Sequence, residues 1–240
     1  MPKVDKKNFT KEEWRAFKAN RKLAKLVKIE DKEIEDQRDF SQNICFVVGN
    51  GTSRQPINLL QLKKHGKVYA CNAVYREFIP DWLIAVDTKM VREITSNAFH
   101  LYNKVYTNPN RYTRDIPGLH LAQPSLGWSS GPTALNLAAE HGFDKIYILG
   151  FDYVGSGKNN ERVNNIYAGT LNYKKETDRA TYFGNWSRQT STTIKKHPSI
   201  SYTRVVEDGR SFVPDNLIGL KNLKHITVEN FIKKFNLSVK

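Results

Sequence analysis

The sequence predicts an α/β fold in which a mostly parallel sheet is flanked by helices and preceded by a basic helical arm. From residue 44 onward, short runs rich in β-branched and aromatic residues alternate with helical segments, a pattern typical of a parallel sheet covered by helices. The first forty residues are instead dominated by charged side chains. We therefore divide the chain into an arm over residues 1–40 and one domain over residues 41–240.

The arm begins with a capping box, in which Thr10 can accept a hydrogen bond from the backbone of Glu13 while the Glu13 side chain reaches back. We expect a helix from about residue 11 to residue 37. Its apolar residues do not form one stripe at helical spacing. The helix is therefore either a solvated charged segment or one that docks on the domain or on a partner.

We predict the strands of the domain from short apolar runs. We predict its helices from the spacing of apolar residues and from residues typical of helix starts and ends. The run at 44–48 is continuously apolar, and the helix at 131–141 has Pro132 in its first turn and Gly142 just after its end. The predicted strands are 44–48, 67–71, 82–86, 104–107, 119–122, 145–149, 201–206 and one beginning near 226; the predicted helices are 56–65, 88–95, 131–141 and one ending near 235. Residues 153–200 give no comparably clear pattern.

Small and polar residues follow these strands. In open parallel sheets the ligand crevice lies beyond the carboxyl ends of the strands, so positions far apart in sequence converge there. The sequence therefore predicts a binding site. Its candidate members are Gly49, Asn50, Gly51, Thr52, Ser53, Asn72, Asp87, Ser129, Ser130, Gly131 and Asp152.

Each part of this candidate site also has a plain structural interpretation. The loop 49–53 either offers backbone N–H groups to an anion or is a tight turn. Asn72 either reads a base or ribose or only forms a turn. The residues 129–131 either bind an anion or cap a helix. Asp152 either holds a ribose hydroxyl, a metal or a proton, or opens a loop as an Asx turn.

Several familiar catalytic patterns are missing from the sequence. The glycine loop is not a Walker A loop, and the third glycine of a dinucleotide fingerprint is replaced by Arg54. The histidines are scattered, and His120 is the one we expect nearest the crevice, in a catalytic or a structural role. The two cysteines, Cys45 and Cys71, lie in apolar sequence and indicate neither a disulfide nor a zinc site.

The net charge is +14, from 38 Lys and Arg against 24 Asp and Glu. Such a field attracts phosphates, nucleic acid or an anionic surface. Residues 153–204 contain nine basic residues and three acidic ones, and this excess suggests an anionic ligand. The long polar loop in this stretch is either a lid over the site or a disordered insertion. The apolar runs are too short for a membrane span, so we expect a cytoplasmic protein.

Four of these pieces resemble the bacterial sialyltransferases of glycosyltransferase family 42 and the related proteins with a 6-hydroxymethylpterin diphosphokinase-like domain, many of which are encoded by phages. The similar pieces are the strand end and glycine loop at 48–53, the Cys71-Asn72 pair, the Ser-Ser-Gly turn at 129–131 and the strand end at 145–152. For a phage-encoded member the location would be the host cytoplasm.

The resemblance implies a Rossmann-like nucleotide-binding domain. For the sialyltransferases the ligand would be a CMP-sugar, bound without a required metal, and Tyr153 or Tyr167 would stabilise the departing phosphate. The residues implied to surround the nucleotide are Asn50, Gly51, Asn72, Ser130, Gly131 and Asp152.

The sequence departs from the sialyltransferase pattern at the general base. Where those enzymes have a histidine, this chain has Asn185, whose amide cannot take a proton at neutral pH. His197 or Asp152 would have to replace it. Two alternatives stay open: an ATP-dependent diphosphokinase, with Mg²⁺ held by Asp87 and Asp152, and a non-catalytic protein that binds nucleotide, nucleic acid or an assembly partner. The sequence predicts no oligomeric state.

Overall fold

The structure is a computed structural model that describes Lys18 and residues 42–209 and 212–239 of the 240-residue chain. The helix predicted over 11–37 lies outside the described residues, apart from Lys18, so the arm stays a prediction. The described part contains the whole predicted sheet.

Within the described ranges the chain forms one sheet of eight parallel strands in the order β5-β4-β3-β2-β1-β6-β7-β8. The order changes direction between β1 and β6, which are hydrogen-bonded neighbours. The predicted α/β class is therefore confirmed. The strands are β1 Ile44–Val48, β2 Lys67–Cys71, β3 Trp82–Ile84, β4 Val105–Thr107, β5 Leu119–Leu121, β6 Lys145–Leu149, β7 Ser201–Val206 and β8 Leu223–Thr227.

Five α-helices accompany these strands in the described ranges. They are α1 Leu59–Leu62, α2 Thr88–Ser96, α3 Ser130–Glu140, α4 Gly184–Lys196 and α5 Val228–Phe235. The first is much shorter than the predicted helix at 56–65, because Asn58 caps its start and residues 63–66 form a turn and a bend rather than α-helix. The short 3-10 helices Thr52–Arg54 and Asn72–Arg76 follow β1 and β2 directly.

Helix α4 was not predicted, and its buried side explains why. That side carries Ser187, Thr190, Ser191 and Thr193 together with Ile194, so it offers no apolar stripe to the helical pattern. Some of its hydroxyl groups have tertiary partners: Ser191 donates to the carbonyl of Asn216 at 2.7 Å, and Thr190 accepts from Tyr153 at 2.7 Å. The Thr193 hydroxyl instead donates within the helix, to the carbonyl of Gln189.

The sheet is covered on both faces, as parallel sheets are. Alternate residues of β1 enter two different cores: Phe46 and Val48 pack with α2 and α5, whereas Cys45 and Val47 pack with α3 and α4. Helices α3 and α4 thus share one face of the sheet. Their N-termini lie at its carboxyl edge, because each helix leads back to the start of the next strand.

Stability is expected to fall as the pH drops below neutrality. Burial lowers the pKa of five histidines: His65, His100, His141, His197 and His225. Their pKa in the unfolded chain is about 6.5, so below that pH the unfolded chain binds more protons than the folded one, and folding loses free energy. Urea unfolding should therefore give a lower midpoint at about pH 5.5 than at about pH 7.5, before most carboxylates titrate. Equal midpoints would contradict this account.

Candidate functional site

A cleft of about 930 Å³ opens at the carboxyl edge of the sheet, beyond the ends of β1 and β6 where the strand order reverses. This is the position at which open α/β sheets bind their ligands. Among the described residues, ten of the predicted site residues line it: Gly49, Asn50, Gly51, Asn72, Asp87, Ser129, Ser130, Gly131, Asp152 and Tyr153.

The Asp152 carboxylate organises the glycine loop. Its Oδ2 accepts hydrogen bonds from the backbone N–H of Ser53 and from the Asn164 amide, both at 3.1 Å, and its Oδ1 accepts from the Ser53 hydroxyl. A Cβ on Gly51 would lie 2.4 Å from that Oδ2, so only glycine allows this approach. The carboxylate is therefore a fixed acceptor with three donors on it.

Asn164 extends the same network to Thr52. Its Oδ1 accepts from the Thr52 backbone N–H at 3.0 Å and from the Thr52 hydroxyl at 2.6 Å. Thr52 and Ser53 were predicted to bind the nucleotide, but neither lines the cleft: both are turned toward this bracing network. Ser53 instead borders a smaller cavity of about 320 Å³. The prediction for these two side chains is therefore corrected to a supporting role.

Asn72 and Ser130 are held by a short chain of hydrogen bonds. The Val86 N–H donates to the Ser130 hydroxyl at 3.1 Å, and this hydroxyl donates to Oδ1 of Asn72 at 2.8 Å. Asn72 has φ 54, a left-handed conformation that asparagine tolerates better than most residues. Because Oδ1 is engaged, the Nδ2 amino group is the part of Asn72 left to donate to a ligand.

Helix α3 presents its N-terminus to the cleft. Ser129 is the residue before the helix, its side chain makes no capping bond, and its N–H donates to Oε1 of Gln189 at 3.2 Å. Ser129 therefore occupies the N-cap position without capping the helix through its side chain. The backbone of the first turn, with Gly131, faces the cleft with the positive end of the helix dipole, which favours an anion.

Tyr173 is a cleft residue that sequence reasoning missed. Its hydroxyl accepts from Nδ2 of Asn50 at 3.2 Å and from the N–H of Ala73 at 3.3 Å, so its own proton is available to a ligand. Burial raises the pKa of Tyr173 to about 12, which keeps that proton in place. The Oδ1 atom of Asn50 is buried and has no partner among the described residues.

The hydroxyl groups of the two predicted phosphate-stabilising tyrosines are engaged with protein partners. Tyr167 is buried away from the cleft lining, where its hydroxyl donates to Glu77 and accepts from Arg54 at 3.0 Å. Tyr153 touches the cleft, but its hydroxyl donates to Thr190 at 2.7 Å. Burial raises the pKa of both tyrosines. Their hydroxyl groups thus stabilise the fold, and the prediction for Tyr167 is corrected.

The candidate histidines and Asn185 are also outside the cleft lining. His120 lies exposed on β5 and stacks edge-on against Trp82, with ring centroids 4.9 Å apart. Asn185 is exposed on α4 and accepts from Arg188 at 2.8 Å. His197 ends α4. Strand β5 is an edge strand of the sheet, four strands away from β1, so His120 cannot reach the switch point between β1 and β6.

The basic residues of 153–204 do not gather over the cleft, contrary to the prediction. Of the nine, Lys174 lines the cleft, whereas Lys158 and Arg204 border the smaller cavity. The Arg204 guanidinium donates to the backbone carbonyls of Phe151 at 2.8 Å and Asp152 at 3.0 Å, so it supports the turn after β6.

The loop after that turn, up to the start of α4, forms a wall of the cleft, and whether it acts as a lid stays a prediction. Arg76 fastens it: the guanidinium pairs with Glu93 at 2.7 Å and donates to the Leu171 carbonyl and the Thr170 hydroxyl, each at 2.8 Å. Burial opposes ionisation of Glu93, but hydrogen bonds from Arg76 and other side chains hold its pKa below the ordinary value.

Amide side chains dominate the polar lining. Within the described ranges, six asparagines line the cleft, against two carboxylates and two lysines: Asn50, Asn72, Asn108, Asn164, Asn165 and Asn172; Asp87 and Asp152; Lys89 and Lys174. Asn108 directly follows β4 and could have been found by the same strand-end argument. The three asparagines of the loop could not, because no periodicity marks them.

The described part of the cleft lining offers a metal two carboxylates, Asp87 and Asp152. Nowhere in the part that the structure describes do three or more His, Cys, Asp or Glu side chains gather as metal ligands. Asp152 is occupied by three donors, which leaves Asp87 as the other carboxylate of the lining.

Among the residues that the structure describes, none of the helices has the length and apolar character that a membrane span requires.

The fold is similar to that of a solved enzyme. The crystal structure of the monofunctional alpha-2,3-sialyltransferase Cst-I from Campylobacter jejuni matches with a TM-score of 0.50, over 82% of this chain and 95% of that chain. The chain has a sialyltransferase-like fold. The sequence identity is 12%, so the likeness concerns the fold alone. No protein-family model matches the chain, and no curated protein matches it either.

Proposed function

We propose that this protein is a nucleotide-dependent transferase that binds a nucleotide-sugar donor, such as a CMP-sugar, in the cleft at the β1/β6 switch point. The observation that carries the proposal is that the N-terminus of α3 and the Asn72 amide, which the Ser130 hydroxyl holds in place, lie next to each other at the cleft. The helix offers anion-binding N–H groups, and the amide beside it is a fixed hydrogen-bond donor for a ribose or a base. The sialyltransferase-like fold supports the glycosyl class.

In this proposal the donor phosphate lies against the first turn of α3. The Tyr173 hydroxyl donates to the departing phosphate, the role that the sequence had suggested for Tyr153 or Tyr167. Asn50 orients Tyr173 through the bond at 3.2 Å. Asp152 and Asn164 keep the glycine loop in shape without touching the reacting atoms. The donor is bound without a metal.

Asp87 takes the proton of the acceptor hydroxyl in this proposal. It is an exposed carboxylate at the cleft, it precedes α2, and its side chain makes no capping bond to that helix. A carboxylate can act as a general base, whereas the amide of Asn185 cannot. Asp87→Asn should slow sugar transfer and leave nucleotide affinity unchanged; transfer at the wild-type rate would exclude Asp87 as the base.

The proposal is tested by thermal unfolding of the protein with CMP, CMP-sialic acid, UDP- and GDP-sugars, ATP and GTP, each with and without Mg²⁺. A ligand that binds only the folded state raises the unfolding temperature by mass action. We expect a shift with a nucleotide sugar that does not need Mg²⁺. A shift that needs both ATP and Mg²⁺ would instead indicate the diphosphokinase, and no shift with any nucleotide would indicate a binding protein of another kind.

Asn72→Gly is expected to weaken nucleotide binding about tenfold, the loss of about one good hydrogen bond. Glycine keeps the left-handed backbone, so the unfolding temperature should change little. The matched control is Asn236→Gly, since Asn236 has φ 49 at the end of α5, outside the cleft lining. Isothermal titration with the nucleotide found above measures both variants. Equal affinities would place the nucleotide away from Asn72.

A further inference from the structure

Three partly buried aromatic residues, Trp128, Phe183 and Trp186, line one side of the cleft. We call them the aromatic wall. Phe183 and Trp186 contact each other edge-on, with centroids 5.4 Å apart and planes at 72°. Trp128 precedes Ser129, the N-cap residue of α3, and the other two flank the start of α4. The wall therefore lies on the face of the sheet that α3 and α4 cover.

The segments that carry the wall are tied to the rest of the fold by hydrogen bonds. The Ser129 N–H, next to Trp128, donates to Gln189 of α4 at 3.2 Å, which ties the two helix starts together. Helix α4 is itself fixed by the bond from Tyr153 to Thr190 at 2.7 Å. Partly exposed aromatic rings that are fixed in this way offer a large contact area with little entropy to lose on binding.

The opposite side of the cleft is polar. It is formed by the loop at 163–174, which packs on the other core through Ile166, Tyr167 and Tyr173. That loop brings Asn165, Asn172 and Lys174 to the cleft. Part of each side chain is engaged in the protein: Asn165 Oδ1 accepts from the Tyr167 N–H, Asn172 Nδ2 donates to Glu93, and Lys174 Nζ donates to the Arg179 carbonyl. Nδ2 of Asn165 and Oδ1 of Asn172 are the amide atoms left for a ligand. A ligand between the two sides thus meets rings on one side and mainly hydrogen-bonding amides on the other.

This combination fits a neutral saccharide ring. One face of a pyranose is made of C–H groups that pack on an aromatic ring, and its rim carries hydroxyl groups that amides can both donate to and accept from. The charged side chains of the described lining balance, with Asp87 and Asp152 against Lys89 and Lys174. The lining therefore gives no excess of positive charge for an acidic group beside the rings.

We propose that the aromatic wall is the acceptor side of the site and determines its specificity: the rings stack on the apolar face of a neutral acceptor sugar and disfavour a carboxylate there. The inference rests on the proposed function, because the donor occupies the half of the cleft formed by Asn50, Asn72 and the start of α3. It adds what the second substrate is and which residues select it.

The test uses the full-length protein saturated with CMP and two matched pairs of probes, methyl β-galactoside with methyl β-galacturonide and methyl β-glucoside with methyl β-glucuronide. Saturation-transfer NMR should show a neutral glycoside bound through the C–H groups of one face, and the matching uronide bound more weakly. Trp186→Ala should lower the affinity for the neutral glycoside about tenfold, which corresponds to the loss of about one stacked ring, and should leave the affinity for CMP unchanged. Tyr182→Ala is the control, because this neighbouring tyrosine is 77% exposed and outside the cleft lining.

Four outcomes would overturn the inference without contradicting nucleotide binding by the wild-type protein. They are a wild-type protein that binds neither neutral glycoside, a preference for the uronides, an unchanged glycoside affinity in Trp186→Ala, and an equal loss of CMP affinity in that variant, which would assign the wall to the nucleobase. If Trp186→Ala does not fold, as judged by its thermal unfolding, Trp128→Ala provides the same comparison. Failure of the wild-type protein to bind any nucleotide would contradict the proposed function instead.

Discussion

Replacing Glu77 with alanine is expected to lower the free energy of unfolding by about 3 kcal/mol, or about 10 °C in Tm. The Arg54 side chain is 2% exposed, and its Nη2 lies 3.1 Å from Oε1 of Glu77. Without Glu77 the guanidinium would stay buried as an unpaired charge, and the Tyr167 hydroxyl would lose its acceptor. Urea or thermal unfolding of the variant measures the effect.

This ion pair also supports the site, because Nε of Arg54 donates to the Gly49 carbonyl at 2.7 Å. The control is Glu229→Ala. Glu229 pairs with Lys233 one helical turn away, but both side chains are about two-thirds exposed, so its loss should leave the free energy of unfolding almost unchanged. If the two variants were equally stable, the buried position of Arg54 would not require a counter-charge.

Asp152→Ala is expected to reduce nucleotide affinity about 100-fold, which is about 2.7 kcal/mol, and to destabilise the fold by about 2 kcal/mol. The substitution leaves the Ser53 N–H, the Ser53 hydroxyl and the Asn164 amide without their acceptor. The glycine loop then loses the contact that fixes its shape. Calorimetric titration with the nucleotide and thermal unfolding measure the two effects.

Asp152→Asn separates this organising role from a role of the negative charge. The asparagine oxygen can still accept from Ser53 N–H and Asn164, and its amino group can donate to the Ser53 hydroxyl. We therefore expect nucleotide affinity within about threefold of the wild type, less than the effect of one lost hydrogen bond. If the asparagine variant lost as much nucleotide affinity as the alanine variant, this account would be contradicted. The negative charge of Asp152 would then itself bind a cation or accept a proton.

The sheet was predictable because its signal is local. Strands β1, β6 and β7 have the predicted bounds, since buried parallel strands read as apolar runs between turns. Helix α4 was not predictable, because its buried face is made of serine and threonine whose partners, such as the Asn216 carbonyl, come from elsewhere in the chain. The spacing of hydrophobic residues in a sequence gives no information about such tertiary hydrogen bonds.

The same division applies to the site. The strand-end positions Asn50, Asn72 and Asp87 reach the cleft because the topology of the sheet brings them there. Tyr167 was predicted to reach the cleft and Tyr173 was not, and which of them does so depends on how the loop folds back. The Tyr167 hydroxyl is bound by the ion pair of Arg54 and Glu77 instead. Sequence spacing carries no information about that ion pair.

A crystal structure of the protein soaked with CMP tests the central claim most directly, because it locates the nucleotide. We predict density in the cleft, with the phosphate at the first turn of α3 and a ribose or base atom about 3 Å from Nδ2 of Asn72. Density in another part of the molecule, or an empty cleft at a CMP concentration that raises the unfolding temperature, would contradict the assignment of the nucleotide site.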